Sequence, residues 1–425
     1  MKDYIYNPKM ECMPRGEMLA LQGELLRRQV NYVWENQSAY RQKMQEAGVT
    51  PADIKDITDI VKLPFTDKGD LRKNYPFGML AVPRDQIIRI NATSGTTDKM
   101  TIVPCTQKDV DLLTEGICRT YAMVGCQPGF TVQNAFSYSL FIGGMGAQNA
   151  VEKLGGTMLP TSTGNTKRQL QLLKDLRANN LSCTPSYAMH IAEIMEEEGY
   201  SKSDFALESC IVAGEGLKEE QYNIIKEKLG VSIFDVYGNA EMTNVFAPCK
   251  FDTGKHIPED MIYVEILDSE GKQLPAGQPG ELVVTTLQKT GQPIIRYKTH
   301  DVAIVYDTPC PCGRTGRRLS KILGRTDDMV TVKGCKIFPS MLENSVKEFD
   351  CLTDNFCLVI TNNQDGAVLT FNAELKRGVH SENLEKRIAE SLRGTLGLSV
   401  KVQLYDYGVL PSADGNKRKL IYDRR

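Results

Sequence analysis

The sequence is short of several things, and each shortage excludes a class of protein. It has almost no net charge: 51 Lys and Arg stand against 53 Asp and Glu over 425 residues, a balance of −2. A protein that coats nucleic acid or an anionic membrane carries an excess of one sign, so neither is expected as a partner. No stretch approaches the ~18 apolar residues of a membrane span, and the opening MKDYIYNPKMECMPRGEM has no apolar signal-peptide core. A cytoplasmic protein is expected. Repeats and low-complexity tracts are missing, and 41% hydrophobic with 24% charged residues is the composition of a folded globular chain. Neither a GxxxxGK[ST] loop nor a GxGxxG fingerprint occurs, which excludes the Walker-type and dinucleotide-binding readings. A thioredoxin-like CxxC is also missing.

Length and pattern say what is there. At about 150 residues per domain, the chain holds roughly two to three domains. Glu17 to Gly48 reads as helix, with Leu21, Leu25, Val30, Val33 and Trp34 at helical spacing. IIRI and TIVPCT read as two strands around a Ser/Thr/Gly turn. Further helices are expected near Asp109–Val124, Lys167–Asn179 and Tyr187–Glu198. ESCIVAG and VSIFDVYG bracket a helix from Lys218 to Lys228, a βαβ signature that predicts a mainly parallel sheet. After Met261 the runs MIYVEIL, ELVVTTL and DVAIVY, separated by turn signals, predict an antiparallel subdomain. Past Gly324 a new α+β pattern begins, with a boundary near Thr326 to Asp328.

Between the first two strands lies Thr93-Ser94-Gly95-Thr96-Thr97-Asp98-Lys99. Hydroxyls, backbone amides and an ammonium suit a polyphosphate, and a glycine lets the backbone come close. Alone, the segment is equally a hydroxyl-rich hairpin turn. It is followed in order by Ala213-Gly214-Glu215, Tyr237-Gly238-Asn239-Ala240-Glu241, Arg296-Tyr297-Lys298-Thr299-His300-Asp301, Gly324-Arg325-Thr326-Asp327-Asp328-Met329 and Gly334 in VKGCKIFPSMLE. This ordered set, from about Pro64 to the C-terminus, resembles the phenylacetate–CoA ligase family of the adenylate-forming enzymes.

The resemblance implies an α/β adenylate-forming fold. A large N-terminal domain, 1–326, would hold a parallel sheet plus an antiparallel subdomain, and a small mobile α+β domain, 327–425, would turn about Asp327. It implies ATP, Mg2+ and coenzyme A as ligands. Ser94, Gly95, Thr96, Thr97 and Lys99 would cradle phosphates, with Thr96 close to the chemistry. Ala213, Gly214 and Glu215 would line the adenine, with Asp235, Tyr237, Gly238, Asn239 and Ala240 beside it. Tyr237 would stack on the base and Glu241 would hold Mg2+. Asp301 would accept both ribose hydroxyls, and Arg325 would reach the nucleotide. A late lysine would stabilise the charge developing as a carboxylate attacks the α-phosphate. Asn416 stands where simple alignment puts it, and Lys417, one residue on, is favoured. Other departures are Asp98 for a usual Gly, Met100 for Pro, Ala240 for Ser or Thr, and His300 for Arg.

The family's aryl pocket corresponds to Tyr138-Ser139-Leu140-Phe141-Ile142-Gly143-Gly144-Met145-Gly146. Tyr138 and Phe141 beside Gly143 and Gly144 can form a slot for a flat ring, although a tight strand-to-helix turn would look the same. No spare cation is evident for a second carboxylate, so an aromatic monocarboxylic acid such as phenylacetate is the expected substrate. The reaction implied is acid plus MgATP to acyl-adenylate and pyrophosphate, then thioester formation with CoA and release of AMP. Transfer to a carrier protein or an amine, or nucleotide binding without turnover, are the alternatives; a homodimer is possible.

Cysteine is the one abundance, at twelve. Cys249 and His256 lie on one turn and Cys310 and Cys312 on another, within a subdomain of about 245–320. Three thiols and an imidazole can complete a tetrahedral Zn2+ site, against the alternative of four unrelated turn residues. Cys118, Cys183, Cys210 and Cys357 have apolar neighbours and read as core.

Overall fold

Five short runs, joined by helices, pair side by side as parallel strands: Thr131–Asn134, Thr157–Leu159, Asn180–Cys183, Ser209–Val212 and Ser232–Asp235. Asn180–Cys183 and Ser209–Val212 are buried at every position, which is why they lack the in–out alternation of a half-exposed strand. Helices Ile142–Lys153, Thr166–Asp175, Pro185–Glu197 and Glu219–Leu229 make the crossovers. Taken in chain order, the strands lie 2-1-3-4-5 across the sheet, so the direction of winding reverses between the first and the third. In open α/β sheets ligands bind outside the carboxyl ends of the strands at such a reversal.

The structure is a computed structural model describing residues 3–93, 100–326, 330–333, 335–363, 366–379, 383–410 and 420–425. It divides into two compact units, Met1–Thr299 with Ala303–Lys321, and His300–Val302 with Ile322–Arg425. In the first unit the hairpin Arg89–Thr93 and Thr101–Cys105 forms as expected. Thr106 caps the helix Gln107–Met123, accepting from the Asp109 N–H while the Asp109 carboxylate accepts from the Thr106 N–H. The single helix expected over Glu17 to Gly48 is instead two, Arg15–Asn36 and Ser38–Glu46. Gln37 breaks it because its side chain turns inward and donates to the carbonyls of Met79 (2.6 Å) and Pro293 (3.2 Å).

The antiparallel sheet starts at Tyr237, earlier than Met261. Its strands run in the spatial order Tyr237–Asn239, Asn244–Pro248, Lys255–His256, Arg318–Leu319, Tyr297–Tyr306, Pro279–Thr286 and Ile262–Leu267. The early strands are two to five residues long, too short for an alternation to be read from sequence.

The second unit has a four-stranded sheet. Leu352–Asn363 and Gly366–Leu375 are antiparallel, with Val400–Tyr405 and Ile421–Asp423 added in parallel on either side. Helices Pro339–Lys347 and Leu384–Leu396 share its core, which includes Leu342, Phe356, Phe371, Ile388 and Leu392. Cys118, Cys183 and Cys210 are buried as expected, whereas Cys357 is only half-buried, beside Asn372. Burial pushes the Cys118 thiol up to about 11, so it behaves as an apolar core residue and not a nucleophile.

Candidate active site

The strands of the parallel sheet deliver the sequence-predicted segments to one edge. Thr131–Asn134 leads into the aromatic segment, Ser209–Val212 into Ala213-Gly214-Glu215, and Ser232–Asp235 into Tyr237 to Glu241. Gly214 has φ +88°, a left-handed conformation that a side chain would strain. Glu215 turns to the neighbouring helix: its carboxylate accepts from the backbone N–H (3.3 Å) and the hydroxyl (3.0 Å) of Ser186, at the start of Pro185–Glu197. That is where the helix dipole favours an anion, so a purine here would meet backbone more than the Glu215 side chain. Asp235 pairs with the buried Lys255 at 2.6 Å. The half-buried Tyr237 ring lies 5.8 Å from Phe246, tilted against it.

The Glu241 turn is held from four directions. Asn239 Oδ1 accepts from the Met242 N–H at 2.8 Å, and the Ala240 carbonyl accepts from the N–H and hydroxyl of Thr243, both at 3.0 Å. Tyr297 donates its phenol to Glu241 Oε1 at 3.1 Å, and Lys289 Nζ donates to the Glu241 carbonyl at 2.9 Å. Thr243 sits at φ +51°, a left-handed conformation tolerated because these bonds over-determine it. Glu241 is 3% exposed. A buried carboxylate, aimed by neighbours, suits a hard cation that prefers oxygen ligands.

In the aromatic segment the organiser is Asn134, fully buried at the end of its strand. Its Nδ2 donates to the Tyr138 hydroxyl and the Gly144 carbonyl, both at 2.9 Å, and its Oδ1 accepts from the Phe136 N–H at 3.3 Å. Gly143 packs over the Phe136 ring, and Phe141 is exposed beside it. At Gly144 an added Cβ would stand 2.5 Å from the Ser137 carbonyl oxygen, so only glycine fits.

Within the RYKTHD segment the roles divide. Arg296 is spent on structure: it pairs with Glu265 at 2.8 Å and donates to the carbonyls of Val61 and Leu63. Tyr297 serves Glu241. Asp301 Oδ1 accepts from Arg325 at 2.6 Å, and His300 Nδ1 stands 3.2 Å from Thr326 Oγ1. Ser94, Gly95, Thr96, Thr97 and Lys99, the expected hinge residue Asp327, Gly334 and Lys417 lie outside the described residues.

Cys249, His256, Cys310 and Cys312 converge, with ligand atoms all within 4.8 Å of one another. Cys249 Sγ is 3.6 Å from Cys310 Sγ, and Cys312 Sγ is 3.4 Å from His256 Nε2. Ligands around a tetrahedral Zn2+ stand about 3.8 Å apart for S···S and about 3.5 Å for S···N. The donor set and its spacing therefore fit zinc. The Cys312 thiol is pushed down, mainly by its hydrogen bond with Cys249 and further by His256, while Cys249 is pushed up. None of the twelve cysteines, all of them among the described residues, is in a disulfide.

The AMP-binding enzyme family matches residues 27–289, and the AMP-binding enzyme C-terminal domain matches 334–425. The phenylacetate–coenzyme A ligase of Thermus thermophilus is 37% identical over 443 residues, covering 99% of this chain and 100% of that protein. That of Escherichia coli is 34% identical over 427 residues, covering 98% and 97%. This chain belongs to the phenylacetate–coenzyme A ligase family of AMP-binding enzymes. A crystal structure of 2-hydroxyisobutyryl-CoA ligase in the postadenylation state superposes on it with a TM-score of 0.83 at 29% identity, covering 98% of this chain and 92% of that one. ATP-bound MatB from Rhodopseudomonas palustris, at TM-score 0.60 and 17% identity over 81% of this chain and 68% of that one, shares the fold. The adenylate-forming α/β fold expected from sequence is thus the fold observed. Among the described residues no helix is long and apolar enough to cross a membrane.

Sequence reasoning missed Lys289, Asn134 and the service role of Tyr297 in this family member. Tyr297 lies within the RYKTHD motif, so its phenol is a signal that the sequence does carry. Lys289 sits in a polar turn, LQKTGQP, which gives no sign that its ammonium is buried.

Proposed function

We propose that the chain is an ATP-dependent aryl acid–CoA ligase that forms an acyl-adenylate and pyrophosphate, then an acyl-CoA thioester and AMP. The observation that carries the proposal is that the aryl segment, the Gly214 turn and the segment leading to the buried Glu241 each follow the carboxyl end of a strand of one parallel sheet. The named activities of the relatives support it.

In the first step a carboxylate oxygen of the acid attacks the α-phosphorus as the bond to pyrophosphate breaks. Tyr138 and Phe141 beside Gly143 and Gly144 would orient the aryl group. Tyr237 and the backbone at Ala213 and Gly214 would take the adenine, Asp301 the ribose and Arg325 the nucleotide. Glu241 would hold Mg2+, which when bound offsets phosphate charge. The loop with Ser94, Thr96 and Lys99 would enclose the phosphates, and Lys417 would meet the developing charge. In the second step the CoA sulfur attacks the acyl carbon and AMP leaves. Withdrawal of Lys417 and entry of the thiol would follow from the small domain turning about Asp327. Crystal structures of 2-hydroxyisobutyryl-CoA ligase in postadenylation and thioesterification states support such a cycle here. Cys249, His256, Cys310 and Cys312 would bind Zn2+ as a structural crosslink. A cytoplasmic location agrees with the free thiols.

Incubation with ATP, Mg2+ and a panel of aryl acids, phenylacetate among them, should release pyrophosphate, and added CoA should yield AMP and a thioester. No pyrophosphate with any acid would overturn the proposal. Replacing Gly144 with Ala should raise KM for the acid about tenfold or more with KM for ATP little changed, because the Cβ meets backbone that cannot yield locally. Steady-state kinetics with each substrate varied in turn would check it.

A further inference from the structure

Lys289 is 3% exposed, yet its ammonium makes one hydrogen bond, to the Glu241 carbonyl, and among the described residues no carboxylate lies within 4 Å of it. The nearby Asp109 is occupied elsewhere: its two oxygens accept from the N–H groups of Thr106, Thr290 and Gly291 and from the Thr290 hydroxyl. A buried cation without an ion pair is costly, and an apolar residue of equal length would serve packing better. The lysine's backbone is itself anchored, its carbonyl accepting from Gln29 Nε2 at 2.7 Å. Its Nζ fastens the peptide of the one residue whose side chain Tyr297 fastens from the other end.

We propose that Lys289 is a positioning residue for the ATP-dependent step: it fixes the Glu241 peptide so that the carboxylate presents to the metal–triphosphate. This rests on the reading of Glu241 as the Mg2+ ligand. Asn239 and Thr243 hold the turn's neighbours, and among the described residues only Lys289 and Tyr297 hold Glu241 itself, one at each end. The role acts on the triphosphate and its metal and not on the adenosine. It therefore predicts a split that a merely structural lysine would not produce.

The test is calorimetric titration of the full chain with MgATP and, separately, with AMP, for the parent, Lys289→Met and Glu241→Gln. Neither ligand requires the acid to be known. Lys289→Met should weaken MgATP binding about tenfold while AMP affinity stays within about twofold and Tm does not fall. Should the Met variant not fold, Lys289→Gln, neutral but polar, is read in the same way. Parallel loss of MgATP and AMP affinity would mark a structural lysine and overturn the inference, as would unchanged MgATP binding. The Glu241→Gln titration separates the two readings. If it leaves MgATP binding unchanged, the placement of the metal at Glu241 fails and this inference with it. If it weakens MgATP binding while the Lys289 variant does not, only the role of Lys289 is lost.

Discussion

Pyrophosphate release by a Glu241→Gln variant should be slower by about 10²–10³-fold at saturating ATP and acid. Gln keeps the length and shape of Glu and can still accept from the Tyr297 phenol, so the turn is expected to stay folded. What the substitution removes is one negative charge at a site 3% exposed, where solvent does little to screen it. The loss should belong to the first half-reaction. Given preformed phenylacetyl-adenylate and CoA, the variant should make thioester at nearly the parent rate, since no triphosphate is then present. Quenched-flow measurement of the two half-reactions checks this. A first half-reaction within about twofold of the parent would remove Glu241 from the mechanism.

The second large effect concerns zinc. Protein purified without added metal should contain about one Zn2+ per chain, because the four donors already lie within 4.8 Å of one another and two of their separations, 3.6 and 3.4 Å, are close to the edges of a zinc tetrahedron. Cys312→Ser should reduce this to near zero and lower Tm by about 10 °C, since binding energy at a structural zinc is also folding energy. The loss should spread further than the four ligands. The turn that carries Cys310 and Cys312 continues into Arg314 and Thr315. Arg314 pairs with Glu11 and donates to the Tyr4 carbonyl, while Thr315 donates to the carbonyls of Glu11 and Met13. Limited proteolysis of the variant should therefore gain cuts within the first fifteen or so residues. Elemental analysis of the parent giving no zinc would reject the site, and an unchanged Tm in the variant would reject its structural role.

Much of this was present in the one-dimensional pattern. The βαβ alternation, the ordered motifs and the change to antiparallel runs are local properties, encoded in burial periodicity and turn chemistry, and they led to the correct fold and family. The grouping of Cys249 and His256 with Cys310 and Cys312 was legible as well, because two short loops with matching ligand chemistry flank strands of one sheet. What could not be read were the consequences of partners distant in sequence. Gln37 resembles any helix residue until the carbonyls of Met79 and Pro293 draw its amide inward. Arg296 looked like part of a nucleotide motif, and only packing shows its guanidinium spent on Glu265, Val61 and Leu63.

The division follows from the range of the forces involved. By itself the sequence determined the elements, their order and the segments able to carry chemistry, since those depend on residues a few positions apart. Only the tertiary structure decided which of those residues are committed to the scaffold and which face the site. Glu241 is aimed by Tyr297 and Lys289 from 56 and 48 positions away, and a hydrogen bond between buried groups exists only once the chain has brought both ends together.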